Sequence, residues 1–281
     1  MSQSHLPDIT YWTGPGGGQW ARHNDFTECM FAPVTAALLA AVDAKPGERI
    51  LDVGCGCGGL ALALATKVGP KGFVLGIDVS AAMLALARRL TPPGAKAEFL
   101  EADATTHVFA KRDFDLLCSR HGVMFFDDPA RAFANLRTAL KPGGRLAFSC
   151  FRGPRDNPWT TIPLEAAYQH VPRLPKPGPE DPGAFSFAEP ARVERILGGA
   201  GFAQVKLAPH DVEFDIAADG GLDAAVENML EIGPTSRAFD RGDKATRAKL
   251  AEALRAALTP HVKGRSVPLG AAIWIVTAKN P

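Results

Sequence analysis

Residues 49–59, Arg-Ile-Leu-Asp-Val-Gly-Cys-Gly-Cys-Gly-Gly, constrain the fold of this chain more than any other stretch. Ile50, Leu51 and Val53 read as a buried strand that runs into a glycine-rich turn, and Leu60, Leu62, Leu64 and Val68 continue in a helical pattern among alanines. Strand, glycine turn and helix open an α/β fold for a nucleotide-type ligand. Glycine lets a ligand approach the backbone, and the helix start gathers amide donors. Gly54, Gly56 and Gly59 also satisfy G-x-G-x-x-G, so a dinucleotide such as NAD has to be weighed.

Asp52 separates the two kinds of ligand. It stands two positions before Gly54, at the carboxyl end of the strand. There a carboxylate would repel a pyrophosphate, whereas the ammonium of S-adenosylmethionine would gain a charge-assisted hydrogen bond. Leu51-Asp52-Val53-Gly54-Cys55-Gly56-Cys57-Gly58 resembles motif I of the class I S-adenosylmethionine-dependent methyltransferases. The resemblance makes Asp52, Gly54, Cys55 and Gly56 cofactor-binding. Cys57 departs from it, since many relatives carry threonine there.

Composition bounds the alternatives. With 281 residues, one large domain or one domain with an insertion is expected. A net charge of +1 gives no electrostatic case for nucleic acid or an anionic membrane. Neither a secretory signal nor an apolar stretch of membrane-spanning length is read, so the expected location is cytoplasmic. Cys55 and Cys57 are too close for a usual zinc knuckle, and no metal site is expected. They are read as small residues in a tight turn, with a reactive-thiol role as the alternative.

Before the first strand, Tyr11, Trp12 and Trp20 lie in a glycine-rich segment. A helix is expected from Gln19 to Pro33 and a second from Val34 to Val42, ended by Lys45-Pro46-Gly47. Residues 1–45 either pack on the sheet or cover the cofactor, with Tyr11 and Trp20 as candidates to face a sulfonium.

Phe73 to Asp78 forms the second strand, and Asp78 either takes a ribose hydroxyl pair or caps the next helix, a role Ser80 already fills. Val79 and Met83 would flank the adenine. A third strand, Ala97 to Glu101, leads to Asp103 and Ala104. The resemblance makes these two the readers of the adenine amino group; the alternative for Asp103 is an ordinary turn aspartate. The fourth strand, Phe114 to Ser119, ends beside Arg120 and His121. Ser119 and Arg120 are placed next to the cofactor, and His121 is either a general base of near-neutral pKa or a structural histidine. His23 and His210 are weaker candidates. A helix over 129–140, a Lys141-Pro142-Gly143-Gly144 turn and a strand over 145–151 follow.

The ordered set from residue 46 to about 151 is similar to the methyltransferase-11 group, which includes the ubiquinone and menaquinone biosynthesis methyltransferases. It implies a Rossmann-like seven-stranded sheet with helices on both faces, here expected over 46–216 and 265–281. Asn157-Pro158-Trp159 starts a short helix to about Val171, and a proline-rich run from Pro172 to Pro190 follows; 152–190 reads as a lid-like loop, with Ala184-Phe185-Ser186-Phe187 docked over the pocket. Residues 217–264 read as an inserted helical cap or, alternatively, a peripheral subdomain or dimer contact; the charge mixture at 237–255 reads as a solvated helix face.

The leading function is methyl transfer from S-adenosylmethionine to O, C or N of a small-molecule acceptor, with neither nucleic acid nor membrane as partner. The alternatives are an NAD-dependent oxidoreductase and a cofactor-binding protein without catalysis.

Overall fold

The computed structural model describes residues 9–178, 180–239 and 244–281. Seven strands form one sheet: β1 (Arg49–Val53), β2 (Phe73–Asp78), β3 (Ala97–Glu101), β4 (Phe114–Arg120), β5 (Leu140–Phe151), β6 (Ala203–Asp215) and β7 (Pro268–Lys279). Their order is β3-β2-β1-β4-β5-β7-β6. The first five are parallel, and β7 runs antiparallel between β5 and β6. The order reverses between β1 and β4, the switch point at which open α/β sheets bind ligands. This is the seven-stranded Rossmann-like sheet that the sequence implies, with helices on both faces.

Before β1 stand α1 (Ile9–Thr13), α2 (Pro15–Arg22) and α3 (Asn24–Val42); between β1 and β5 stand α4 (Gly59–Val68), α5 (Ala81–Leu90) and α6 (Pro129–Ala139). After β5 come α7 (Pro158–Ala167) and α8 (Pro190–Gly199), and between β6 and β7 come α9 (Gly221–Glu231), α10 (Pro234–Phe239) and α11 (Lys244–Leu258). The Lys-Pro-Gly-Gly turn is a bulge at the start of β5, where pairing shifts from Phe114↔Leu140 to Leu116↔Arg145.

The helix break expected at Pro33 lies instead at His23, and α3 runs through Pro33. Met30, Val34, Leu38 and Val42 recur every four residues along α3 and are all buried. Burying four such side chains at about 1.5–3 kcal/mol each outweighs the roughly 3 kcal/mol of an internal proline. Contrary to the sequence reading, α3 is long and apolar enough to cross a bilayer by length and composition. Its apolar side packs on β4, β5, β6 and β7.

The proline-rich connection is anchored where the site forms. The Gly183 amide and the Ser186 hydroxyl both donate to the Met124 carbonyl, at 3.0 and 2.7 Å. Ala184 reaches the cavity described below, but Phe187 turns into the core between Phe133 and Phe148. Helix α9 packs with α10 and α11, and α10 and α11 pack on α7.

Candidate active site

A cavity of about 430 Å³ opens at the carboxyl ends of β1, β2 and β4. Its floor is the turn after β1. Gly54 has φ +64°, and a Cβ there would lie 2.8 Å from the Gly122 Cα, so only glycine lets this turn meet the exit of β4. Gly56 donates its amide to Asp78 Oδ2 at 2.8 Å, and Ser80 donates to Oδ1 at 2.9 Å. Asp78 thereby ties the two ligand-facing turns together and keeps lone pairs in reserve on both oxygens. Ser80 caps α5, accepting from the Met83 amide.

Asp52 is buried, and its Oδ2 has no hydrogen-bond partner among the described residues. Its Oδ1 takes only a 3.9 Å contact from the Cys118 thiol, the residue opposite it on β4. Burial raises its pKa to about 7, Arg120 opposes the rise, and Asp78 and Glu28 add to it. A buried carboxylate with a vacant oxygen on a cavity wall suits a cationic ligand group, so this donor set fits the ammonium of S-adenosylmethionine. Asp78 is also raised, by burial, against the amides of Ser80, Gly56 and Val79.

Trp20, Asp52, Gly54, Cys55, Gly56, Asp78, Val79, Met83, Asp103, Ala104, Arg120 and His121 all line this one cavity. Asp103 is also a turn aspartate, accepting from the Thr105 amide at 2.7 Å and the Thr106 hydroxyl at 3.3 Å. Two expected residues lie off the lining. Tyr11 packs over Gly16 and edge-on against Trp12, and Trp12 is the residue that reaches the cavity. Ser119 is buried, and its hydroxyl accepts from the Gly122 amide at 3.1 Å, bracing the turn instead of facing a ligand. Arg120 spends its guanidinium on Glu28 and Thr35 of α3. Burial lifts the Cys57 thiol to about 12 and the Cys55 thiol well above its usual range, so neither is a thiolate at neutral pH.

His121 carries two marks of a working position. Its φ is 63°, a left-handed conformation that costs about 1–3 kcal/mol outside glycine. Its ring stacks on Phe151 at 4.3 Å with Nδ1 3.4 Å from the Ser149 hydroxyl, and its buried Nε2 has no partner among the described residues. The near-neutral pKa supposed from sequence is not found: burial, aided by Arg120, lowers it to about 3. His121 is therefore a neutral imidazole at physiological pH.

The acceptor side was the less legible one. Trp12, Phe31, Phe125, Phe151 and Trp159 make an aromatic wall, and Gly233, Pro234 and Arg237 bring the insertion between β6 and β7 to its edge. Trp12 Nε1 and Arg237 Nε are buried without hydrogen-bond partners among the described residues. The stretch 237–255, read as a solvated face, begins on a partly buried Arg237, and its residues 240–243 lie outside the described residues.

A family model described as a methyltransferase domain matches residues 50–144. The chain is 33% identical over 186 residues to aklanonic acid methyltransferase DauC of Streptomyces sp. (strain C5), covering 63% of this chain and 84% of that protein. It is 31% identical over 201 residues to nocamycin O-methyltransferase of Saccharothrix syringae, covering 66% and 69%. Among solved structures it resembles phosphoethanolamine N-methyltransferase 2 of Haemonchus contortus in complex with phosphomonomethylethanolamine and S-adenosylhomocysteine. That likeness has TM-score 0.56 and 20% identity over 100% of this chain and 61% of that one, and it bears on the fold alone.

The site and fold define a class I S-adenosylmethionine-dependent methyltransferase. The chain belongs to that family, and the NAD-dependent reading falls with it.

Proposed function

We propose that this enzyme methylates an oxygen of a small, largely aromatic acceptor. The observation that carries the reading is the convergence of Trp12 Nε1, Asp52 Oδ2, His121 Nε2 and Arg237 Nε, four buried polar atoms without partners among the described residues, on one aromatic-walled cavity. Buried polar atoms left unpaired cost about 1–3 kcal/mol each, so their collection in one place marks where ligands complete the structure. The two relatives named above are an aklanonic acid methyltransferase and a nocamycin O-methyltransferase, and the latter name supports an oxygen acceptor.

In this reading Asp52 holds the cofactor ammonium and Asp78 the ribose hydroxyls. Val79 and Met83 flank the adenine, and Asp103 with the Ala104 amide reads its edge. Bound S-adenosylmethionine supplies a methyl group already activated on a sulfonium. The remaining work is alignment and exclusion of water, and orientation is worth up to about 7–11 kcal/mol in favourable cases. His121, neutral and strained toward the cavity, accepts a hydrogen bond from the acceptor hydroxyl through Nε2. The N-terminal helices and the 217–264 insertion act as the cover that keeps the cavity dry.

The test is incubation with methyl-labelled S-adenosylmethionine and a panel of hydroxyaromatic acceptors, with products identified by mass spectrometry and NMR. Transfer to oxygen supports the reading. Transfer to carbon or nitrogen only, or none across a panel with bound cofactor, contradicts it.

A further inference from the structure

The insertion between β6 and β7 delivers one cation to the cavity. Arg237, on α10, lines it with a buried Nε that has no hydrogen-bond partner, and no ion pair to a carboxylate is found for it among the described residues. The contrast with its neighbours is sharp. Arg120 at the same cavity is paired with Glu28, and Arg247 of the adjoining α11 is paired with Glu227 and Glu231. Arg131 also borders the cavity but is exposed to water. Burial lowers the pKa of Arg237, and among the described residues the groups opposing this are two phenols, Tyr11 and Tyr168.

Arg237 is only partly buried as a residue, but its Nε is cut off from water, and a desolvated cation without a counter-charge is costly until a ligand brings the charge. Of the six carboxylates that line the cavity, Asp52 and Asp78 stand at the ends of β1 and β2, Asp103 follows β3, Asp127 and Asp128 precede α6, and Glu28 of α3 is paired with Arg120, whereas Arg237 comes from the insertion beside the aromatic wall. A guanidinium fork matches a carboxylate in two parallel hydrogen bonds, and Trp12 and Trp159 offer apolar faces to a flat ring.

We propose that Arg237 is an anion subsite and that the acceptor is a small aromatic acid whose carboxylate it binds. This rests on the reading of the cavity as the methyl-transfer site.

The competing source of an anion is the cofactor's own carboxylate, and calorimetry separates the two. Protein saturated with S-adenosylhomocysteine is titrated with 3-hydroxy-2-naphthoate and with the neutral 3-hydroxy-2-naphthamide. The wild type is expected to bind the acid about tenfold or more tightly than the amide, the range of one charge-assisted contact. Arg237→Gln is expected to abolish that preference while leaving S-adenosylhomocysteine affinity within about twofold, and Arg237→Lys to keep part of it through its charge. Equal binding of acid and amide by the wild type, or binding of neither, overturns the proposal, and so does a preference that survives in Arg237→Gln. A large loss of S-adenosylhomocysteine affinity in an Arg237→Gln protein with the wild-type melting midpoint also overturns it, assigning the residue to the cofactor. Failure of the wild type to bind S-adenosylhomocysteine would overturn the methyl-transfer reading beneath it. The wild-type comparison of acid with amide needs no variant to fold.

Discussion

Arg120, the last residue of β4, donates from Nη1 to Glu28 Oε2 at 2.9 Å and to the Thr35 hydroxyl at 2.7 Å, joining the sheet to α3 at the rim of the cavity. The two side chains are 12% and 31% exposed, so the pair is only partly screened by water. It also sets the charge felt by Asp52, since Arg120 lowers the Asp52 pKa and Glu28 raises it.

Glu28→Gln removes the negative half of this pair and leaves the hydrogen-bonding shape. The expected result is a loss of about 1–3 kcal/mol in unfolding free energy, the range for a hydrogen bond to a charged group. Urea unfolding measures it. An unchanged midpoint would show that Glu28 and Arg120 do not hold α3 to the sheet.

Asp52 makes ligand-free stability depend on pH in a definite direction. A carboxyl in the unfolded chain ionises near 3.9, and burial in the folded protein raises Asp52 to about 7. Between those values the folded state binds more protons, so this contribution is fully present below about 4 and is lost as pH rises toward 7. Asp52→Asn lacks the dependence. The melting-temperature advantage of Asp52→Asn over wild type is expected to grow from pH 4 to pH 8. A constant difference would place Asp52 in a less buried state than described.

His121 titrates far below neutrality, so the pH–rate profile of methyl transfer is expected to show no limb from it between pH 5 and 8. His121→Asn, a residue that tolerates the left-handed backbone, is expected to lose about ten- to a hundredfold in kcat/KM through the missing Nε2 contact. A limb near 6.5 that disappears in the variant would restore the general-base reading. An undiminished kcat/KM would make the histidine structural.

The parallel half of the sheet and its cofactor side were legible because their signals are local. Asp52, Asp78 and Asp103 each follow a short apolar run, and the register of parallel strands then carries all three to one edge. Phase within an element was not legible. Tyr11 and Trp12 are adjacent on a one-turn helix, and only packing over Gly16 decides which ring faces inward. Ser119 and Arg120 differ in the same way, since the hydroxyl is drawn to the Gly122 amide. Pro33 looked like a helix end because its cost is local, while the burial that overrides it is tertiary. Arg237 was hidden for the same reason: its sequence neighbourhood is that of a charged surface, and its burial comes from α10 packing against α7.

The most direct measurement is calorimetric titration of S-adenosylhomocysteine into wild type and Asp52→Asn at pH 8, with NADH run alongside. The account predicts micromolar binding to wild type, none of NADH, and about a ten- to hundredfold loss in Asp52→Asn from removal of the charge that faces the ammonium. Equal affinities in the two proteins would contradict the assignment of Asp52, and NADH binding in place of S-adenosylhomocysteine would contradict the account at its base.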